Sequence, residues 1–418
     1  MKKSLLAAVS LSVVTGVAHA DVTLYGLIDI GVANVSHGQN IDGSAPAPLP
    51  YVVNPKSTNK SVTSITSNGL SQSFLGFKGS EAISPDLTSG FQLEAGFEPG
   101  SGNIADGVQG LQTGTSNTTT GNDSSRAGQL FNQRSLVYLA SKSAGTLSLG
   151  RQYTLSLDYI GRNDPLQGSQ AFSPLGYYGS YGGGGFTEDA RLDNALKYNG
   201  KFSNIRVDAL YQFGGIAGNS SSNSGWQAGL GTDMGSLSVD AVYSLKHDGL
   251  SVSPNNPGLK GTIADIRDYG VFAKYVMGPA TLSGGVMRYE YSAPSDGGVG
   301  YNTIGGYTLV SKNITAAAGK KLDLAFGGLR YAITPNFDLT GAYYSVEQND
   351  FSGTGCSNNS KSSCSGSYEA YSLVADYKLS NRTDVYAGVG ESNVSGGVSN
   401  GFVATSNTTT MVGLRHRF

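Results

Sequence analysis

The segment Val-Thr-Leu-Tyr-Gly-Leu-Ile-Asp-Ile, residues 22–30, alternates apolar and polar side chains almost from one residue to the next. In an extended chain its aliphatic residues share one face and its polar residues share the other. These two sets are Val22, Leu24, Ile28 and Ile30 against Thr23, Tyr25 and Asp29. A period of two indicates a β-strand with one apolar side.

The same period recurs along the whole chain and predicts sixteen strands. The strand at 320–333 changes phase at Gly327-Gly328, which predicts a β-bulge. The connections alternate between tight turns and long segments rich in Gly, Ser, Asn and Thr. The predicted strands lie near residues 22–35, 69–79, 89–98, 129–140, 145–152, 189–199, 204–213, 225–234, 236–246, 267–277, 280–292, 320–333, 337–348, 368–379, 382–392 and 406–418.

An even number of antiparallel strands, with tight turns at one end and long loops at the other, is typical of a transmembrane β-barrel. Lipid cannot satisfy the unpaired backbone groups of an open sheet, so the sheet must close. We therefore predict an all-β fold, a 16-stranded antiparallel transmembrane β-barrel around a water-filled lumen. A soluble β-sandwich or β-helix adhesin is the alternative, but it does not explain the alternating connection lengths.

The composition agrees with a barrel in a membrane. Charged residues make up 14% of the chain, whereas soluble proteins average about 25%. The chain also has 60 glycines and 24 tyrosines, and no stretch approaches the roughly 18 apolar residues that a spanning helix needs. A net charge of −2 argues against a nucleic-acid partner. Aromatic residues near strand ends are predicted to lie at the membrane interfaces: Tyr198, Phe213, Tyr275, Tyr377 and Phe418.

The first twenty residues predict export. A basic start, an apolar core over residues 5–17 and the Ala18-His19-Ala20 triplet indicate a signal peptide over residues 1–20, cleaved between Ala20 and Asp21. Residues 21–418 would then form the exported pore. Export implies an oxidising compartment, so Cys356 and Cys364 are predicted to form a local disulfide. No metal site and no cofactor are predicted, because further ligands are lacking near the cysteines.

The segment 153–188 is about the longest gap between alternating stretches, and it is rich in Gly and Tyr. Structureless segments of this length in a compact protein are usually functional or disordered. It carries Asp158, Arg162, Asp164 and Glu188. We predict that this loop folds inward against charged walls and constricts the pore.

Six short motifs, in order along nearly the whole chain, resemble Gram-negative general porins, which are trimeric, and the betaproteobacterial type most closely. The motifs are Asp21–Gly26, Leu75–Glu81, Phe131–Arg134, Leu149–Gln152, Arg191–Tyr198 and Val412–Phe418. The resemblance implies a sixteen-stranded trimeric pore whose third loop enters the lumen. It also implies that acidic residues on this loop face a basic cluster on the wall.

The resemblance implies that Arg134 and Arg191 form the basic cluster. In the alternating pattern, both side chains lie on the face of the strand opposite their apolar neighbours. The loop acids map by spacing to Asp158 and Asp164. The family's arginine on the second strand is replaced by Phe74, and its second loop acid by Gly168. Arg151 shares the parity of Leu147 and Leu149, so only a bulge would bring it into the lumen. The candidate constriction residues are Arg134, Arg191, Asp158, Asp164, Lys78, Phe74, Lys197 and Arg206.

Facing charges in a narrow passage focus the electric field and favour hydrophilic solutes. Together with this argument, the resemblance implies an outer-membrane porin that lets small hydrophilic solutes and ions diffuse passively, as a homotrimer surrounded by lipid. A pore selective for sugars or organic anions, or a loop-mediated adhesin or receptor, is the alternative. No catalytic activity is expected, because His37, His247 and His416 form no evident catalytic grouping. The terminal Phe418 is predicted to be required for barrel closure and assembly.

Overall fold

The computed structural model describes most of the barrel. It covers residues 22–37, 60–104, 130–177, 191–215, 217–221, 224–252, 261–293, 303–304, 307–308, 319–351, 355–356, 361, 363–399 and 404–418. The predicted signal peptide with Ala20 and Asp21, and the part of the long loop after residue 177, lie outside these residues. No helix in the described ranges is both long and apolar enough to cross a membrane.

Most of the described chain is β-strand. The strands are β1 (Thr23–Val35), β2 (Val62–Ser67), β3 (Phe74–Ala82), β4 (Leu87–Glu98), β5 (Asn103–Ile104), β6 (Arg134–Ser141), β7 (Gly145–Tyr153), β8 (Arg191–Phe202), β9 (Ile205–Gln212), β10 (Gly225–Met234), β11 (Leu237–Val252), β12 (Gly261–Met277), β13 (Ala280–Ser292), β14 (Thr303–Ile304), β15 (Tyr307–Thr308), β16 (Lys321–Thr334), β17 (Phe337–Gln348), β18 (Gly366–Lys378), β19 (Thr383–Val394) and β20 (Ser406–Arg417). The helices are α1 (Leu155–Asn163), α2 (Pro174–Tyr177) and a 3₁₀-helix, Gly396–Ser399.

Sixteen of these strands form one closed antiparallel ring, which confirms the predicted fold class. Each pairs with its neighbour along the chain, and β1 pairs with both β20 and β3 to close the ring. The pairing of β1 with β20 runs from Leu27↔Arg417 to Val35↔Thr409. The short β2 and β5 add to β1 and β4, and β14 and β15 form a separate hairpin.

The second barrel strand begins later than the predicted residue 69. Residues 68–73 leave the sheet, and Asn68 adopts a positive φ of 65°. The carboxylate of Asp29 accepts hydrogen bonds from the backbone N–H groups of Leu70 and Ser71, each at 2.8 Å. This inward anchor holds the segment against the wall, so β3 starts only at Phe74.

The predicted bulge at Gly327-Gly328 is wrong. Pairing of β16 with β13 and with β17 runs unbroken through both glycines. The change of phase has another cause: Leu324 and Phe326 point into the barrel and are 2% and 6% exposed, whereas Leu329 and Tyr331 point outward. The apolar residues therefore change from the inner to the outer face while the strand stays regular.

The outer face of the ring carries exposed aliphatic residues on every part of the circumference, as the alternation predicts. Val32 on β1, Val137 on β6, Leu230 on β10, Val286 on β13 and Val412 on β20 are all more than half exposed. The inner face is of two kinds. Along β3–β8 it is polar and charged, but on β12, β13 and β16–β18 it is largely apolar and buried.

Candidate functional site

The first part of the long loop forms helix α1 and packs on the inward faces of β9–β13. The helix begins after Thr154, whose hydroxyl accepts a hydrogen bond from the backbone N–H of Leu157 at 3.2 Å. This is the usual N-cap arrangement. Leu155, Tyr159 and Ile160 are buried to 1% exposure or less, so the apolar side of the helix meets the barrel wall.

Three aspartates on the wall hold α1 in place. The Tyr159 hydroxyl donates to Asp208 at 2.8 Å, the Ser156 hydroxyl donates to Asp268 at 2.9 Å, and the Asn163 amide donates to Asp240 at 3.0 Å. Burial, together with the nearby Asp208 carboxylate, raises the pKa of Tyr159. Hydrogen bonds to charged acceptors in a buried site are among the stronger ones, so these contacts fix the helix on the wall.

Asp164 anchors the chain just after α1. Its carboxylate accepts hydrogen bonds from the Tyr344 hydroxyl at 2.6 Å and the Ser173 hydroxyl at 2.8 Å. The backbone N–H groups of Gly168 and Leu166 donate to it at 2.7 and 3.2 Å. Burial raises the pKa of Asp164, and the donated hydrogen bonds oppose that rise. The side chain is 2% exposed, so it does not reach the channel surface.

Glycines on the inner wall make room for the loop. A Cβ placed on Gly229 would lie 2.4 Å from the Tyr159 hydroxyl, and one on Gly388 would lie 2.6 Å from the Phe172 ring. The Ser372 hydroxyl on β18 donates to the Phe172 carbonyl at 2.6 Å. The loop therefore contacts a large part of the inner wall, from β9 round to β19.

The opposite wall carries a basic cluster built around one tyrosine. The ring of Tyr153 lies between two guanidinium groups, with that of Arg134 at 4.2 Å from the ring centre and that of Arg191 at 4.8 Å. The Tyr153 hydroxyl donates to the Gln133 side chain at 2.8 Å. Cation–π contact with a tyrosine lets two like charges share one small region.

The cluster extends along the neighbouring strands. The Tyr25 hydroxyl donates to Glu94 at 2.8 Å, and Arg134 is 3.5 Å from the same carboxylate. The Lys78 ammonium lies 4.8 Å from the centre of the Tyr25 ring, and the Phe74 ring meets Tyr25 edge-on at 5.7 Å. Lys78, Phe74 and Arg134 therefore belong to one continuous wall.

Within residues 153–177, the described part of the loop, one ion pair joins the loop to this basic wall. Lys197 on β8 pairs with Asp158 on α1, and its ammonium also donates to the Tyr153 carbonyl at 2.9 Å. A polar cleft of about 410 Å³ lies here, lined by Arg134, Lys197 and Asp158 among others. Six of the sequence-predicted residues thus come together: Lys78, Phe74, Arg134, Arg191, Asp158 and Lys197.

Two predicted residues lie apart from the basic cluster. Asp164 is buried beneath the loop, as described above. Arg206 is held by Asp240 at 2.8 Å and by Asp233, next to the end of α1. Arg151 does not follow the outward alternation of Leu147 and Leu149, because the pairing of β7 with β8 shifts between Gly150 and Gln152. Its guanidinium lies 2.6 Å from Asp193.

Sequence reasoning missed Glu94 and Tyr153, the two residues that organise the cluster. The alternation of residues 91–98 puts Glu94 on the polar face of its strand, but its partner Arg134 could be found only from the register that sets these two residues opposite each other. The predicted disulfide is confirmed, with an S–S distance of 2.03 Å between Cys356 and Cys364. Phe418 exchanges two backbone hydrogen bonds with Gly26 on β1, each at 3.1 Å.

Three comparisons show what the chain is similar to. A family model described as Gram-negative porin matches residues 6–397. An outer membrane porin protein of Bordetella pertussis is 26% identical over 444 residues, covering 100% of both chains. An anion-selective porin from Comamonas acidovorans has a similar fold, with a TM-score of 0.65 at 19% identity, covering 96% of this chain and 100% of that one. A trimer form of OmpT, an outer membrane protein of Vibrio cholerae, gives a TM-score of 0.59 at 16% identity, covering 96% of this chain and 99% of that one.

Proposed function

The chain belongs to the Gram-negative porin family, whose members are outer-membrane channels, and we propose that its channel passes small hydrophilic solutes with a modest preference for anions. One observation carries this proposal: Tyr153 is flanked by Arg134 and Arg191 on the wall that faces the loop. In the described part of this region, Lys78 and Lys197 add positive charge, while Glu94 and Asp158 oppose it.

We propose that residues 153–188 form the constriction loop. The contacts of α1 with β9–β13 support this role, because they leave the basic wall facing the helix across the remaining space. Field lines are focused where low-dielectric walls narrow an aqueous passage. Excess positive charge there raises the local anion concentration and so the anion permeability. Asp158 offsets the positive charge of Lys197, and this limits the size of the anion preference.

Reversal potentials in a planar bilayer test the assignment. Under a salt gradient, the double variant Arg134→Ala, Arg191→Ala is expected to shift selectivity toward cations, because both wall charges are removed. The matched control Arg382→Ala changes an exposed arginine in a turn between barrel strands. A reversal potential unchanged by the double variant would contradict the constriction assignment. A solute-size series in the same bilayers separates a general pore from one that selects sugars or organic anions.

We also propose that the chain forms a homotrimer through the aliphatic side of the ring. Among described residues, every exposed tyrosine and the exposed tryptophan lie on β9–β18, whereas β19, β20, β1 and β3–β7 expose aliphatic side chains and phenylalanine. Tyrosine and tryptophan girdles mark surfaces that meet lipid at the membrane interfaces. The side without them therefore fits another protein surface, and the similar Vibrio protein has a trimer form.

A pair of matched valines tests this interface. Val137 on β6 and Val207 on β9 both face outward, at 56% and 39% exposure. Val137→Trp is expected to weaken the trimer, because a bulky ring does not fit a packed contact. Val207→Trp is expected to leave it intact, because lipid accommodates the ring. Native mass spectrometry in detergent reports the oligomer, and equal trimer yield for both variants would refute the placement.

We propose that the chain has no catalytic role, in keeping with its membership of a channel family. Three histidines in the described residues contact polar neighbours. His37 lies 3.2 Å from the Ser36 hydroxyl, His247 lies 3.0 Å from Asp265 and His416 lies 2.9 Å from Thr383. These contacts lie outside the basic cluster, so we assign none of the three to the solute path proposed above.

A further inference from the structure

A groove runs down the outer face of the barrel, on the side that carries the aromatic girdle. Its upper part, nearer the long connections, is an open depression of about 720 Å³, and its lower part is an open depression of about 830 Å³. The two parts share Val271, Val286 and Ala325, so they form one continuous depression along β12, β13 and β16. Val271 and Val286 are 53% and 59% exposed and face outward, so the groove belongs to the outer surface and not to the channel.

Small residues keep the groove open. Ala325 and Gly327 on β16 and Gly284 on β13 lie along it, while Tyr275 and Tyr343 stand beside its lower part. A Cβ placed on Gly327 would meet only the Ser283 carbonyl, at 3.7 Å, so nothing in the described structure fills the space above this position. A smooth apolar trough between aromatic side chains fits an extended hydrocarbon chain.

The upper end of the groove is charged. Arg288 forms a two-pronged ion pair with Asp323, at 2.5 and 2.7 Å, and both side chains are more than 40% exposed. Arg267 pairs with Glu290 beside them, and Glu347 lies at the rim. An arginine facing lipid costs about 2–4 kcal/mol at the membrane midplane but only about 0–1 near the interfaces. This end of the groove therefore lies at the level of the lipid headgroups.

The length of the groove agrees with that position. From Arg288 to Leu282 the groove follows β13 for six residues, about 20 Å at roughly 3.3 Å per residue. With a strand tilt of about 40° this is about 15 Å along the barrel axis, or half of a hydrocarbon core about 30 Å thick. The groove therefore spans about the depth of one leaflet.

We propose that this groove binds a phosphate-bearing acylated lipid of the outer leaflet, with one acyl chain along Ala325 and the phosphate on Arg288. A guanidinium has five N–H donors, and Asp323 occupies only part of them. Arginine binds phosphate oxygens well because of its fork geometry. A second copy of the chain is the less suitable occupant, since the groove lies on the girdle side and the aliphatic side is the one that fits a subunit contact.

Lipid binding can be measured by native mass spectrometry of the full trimer in detergent, titrated with diphosphorylated lipid A or with lipid A lacking its phosphates. Wild-type protein is expected to retain the phosphorylated lipid at about one per chain. Arg288→Gln is expected to weaken binding about tenfold, because a charge-assisted hydrogen bond to phosphate is lost. The control Arg382→Gln removes an exposed arginine from a turn outside the groove and is expected to bind normally.

Two further variants separate the parts of the site. Ala325→Phe fills the groove and is expected to reduce binding of both lipids, whereas Ala228→Phe, on the exposed outer face of β10 and outside the groove, is the matched control. Asp323→Asn is expected to strengthen binding of the phosphorylated lipid, because Asp323 competes with phosphate for Arg288. Equal retention by Ala325→Phe and Ala228→Phe, loss of the trimer only in Ala325→Phe, or weaker binding in Asp323→Asn would each overturn the proposal.

Discussion

The inner face of this barrel has two regions that follow the same alternation but differ in what they contact. Along β3–β8, the wall carries Lys78, Arg134 and Lys197 and borders an open polar cleft. On β12, β13 and β16–β18, the wall carries Phe272, Tyr289 and other large apolar side chains at 1% exposure or less. The first region is arranged for water and ions, and the second forms a buried core with other parts of the interior.

The difference shows that the interior of a wide barrel need not be uniformly wet. A loop that folds against one wall needs apolar surface there, and the loop supplies Leu155, Ile160 and Phe172 for this contact. Burial of one such side chain stabilises by roughly 1.5–3 kcal/mol. The charged wall stays accessible because the loop is held on the other one.

Removing the Phe172 side chain is expected to have the largest effect on the contact between the loop and the apolar wall. Its ring is 2% exposed and rests on Gly388, and truncation of a buried phenylalanine to alanine costs about 3–5 kcal/mol. Phe172→Ala should therefore loosen residues 155–175 from the wall. We expect faster protease cleavage within this segment and larger single-channel current fluctuations.

Phe213→Ala is the control for this change, since Phe213 is 54% exposed on the outer surface. It removes the same group without touching the loop. Similar cleavage rates in both variants would show that the apolar wall does not hold the loop.

A larger side chain at position 388 tests the contact with Phe172 from the barrel side. Its Cβ would lie 2.6 Å from the Phe172 ring, whereas Gly341 on β17 has no atom within 4 Å of its Cβ position. Overpacking costs about 1–3 kcal/mol, so Gly388→Leu is expected to displace the loop and Gly341→Leu is not. Hydrogen exchange of residues 155–175 reports the displacement, and equal exchange in the two variants would argue against close packing at Gly388.

The two regions also differ in how far the sequence could predict them. Alternation predicted all sixteen barrel strands, and parity placed Arg134 and Lys197 on the inner face, because a period of two depends only on local order. The alternation indicates that the two faces of a strand differ, but it does not indicate which face contacts water. The phase change after Leu324 and Phe326 was therefore interpreted as a bulge. The burial of Asp164 and the pairing of Glu94 with Arg134 depend on contacts between distant segments, which no local pattern specifies.

Asp164 provides a pH test of the buried region. Burial raises its pKa above the ordinary value of 3.8, so its contribution to loop docking is full at lower pH and is lost as the pH rises through the raised pKa. We expect current fluctuations to increase from pH 4 upward in the wild type and to change much less with pH in Asp164→Asn. The same pH dependence in both proteins would assign the effect to another group.

The smallest expected effect concerns the ion pair between helix α1 and the basic wall. Asp158 on α1 neutralises Lys197 on the basic wall, and the Asp158 side chain is 28% exposed. Removing its charge in Asp158→Asn leaves the Lys197 ammonium uncompensated beside the cleft, so anion preference should rise by less than about twofold, as expected for a partly exposed pair. Reversal potentials measure this, and high salt should reduce the effect because mobile ions screen exposed charges. The matched variant Asp193→Asn removes a carboxylate that pairs with Arg151 instead. If Asp158→Asn shifted selectivity toward cations, the wall opposite the loop could not be the source of the anion preference.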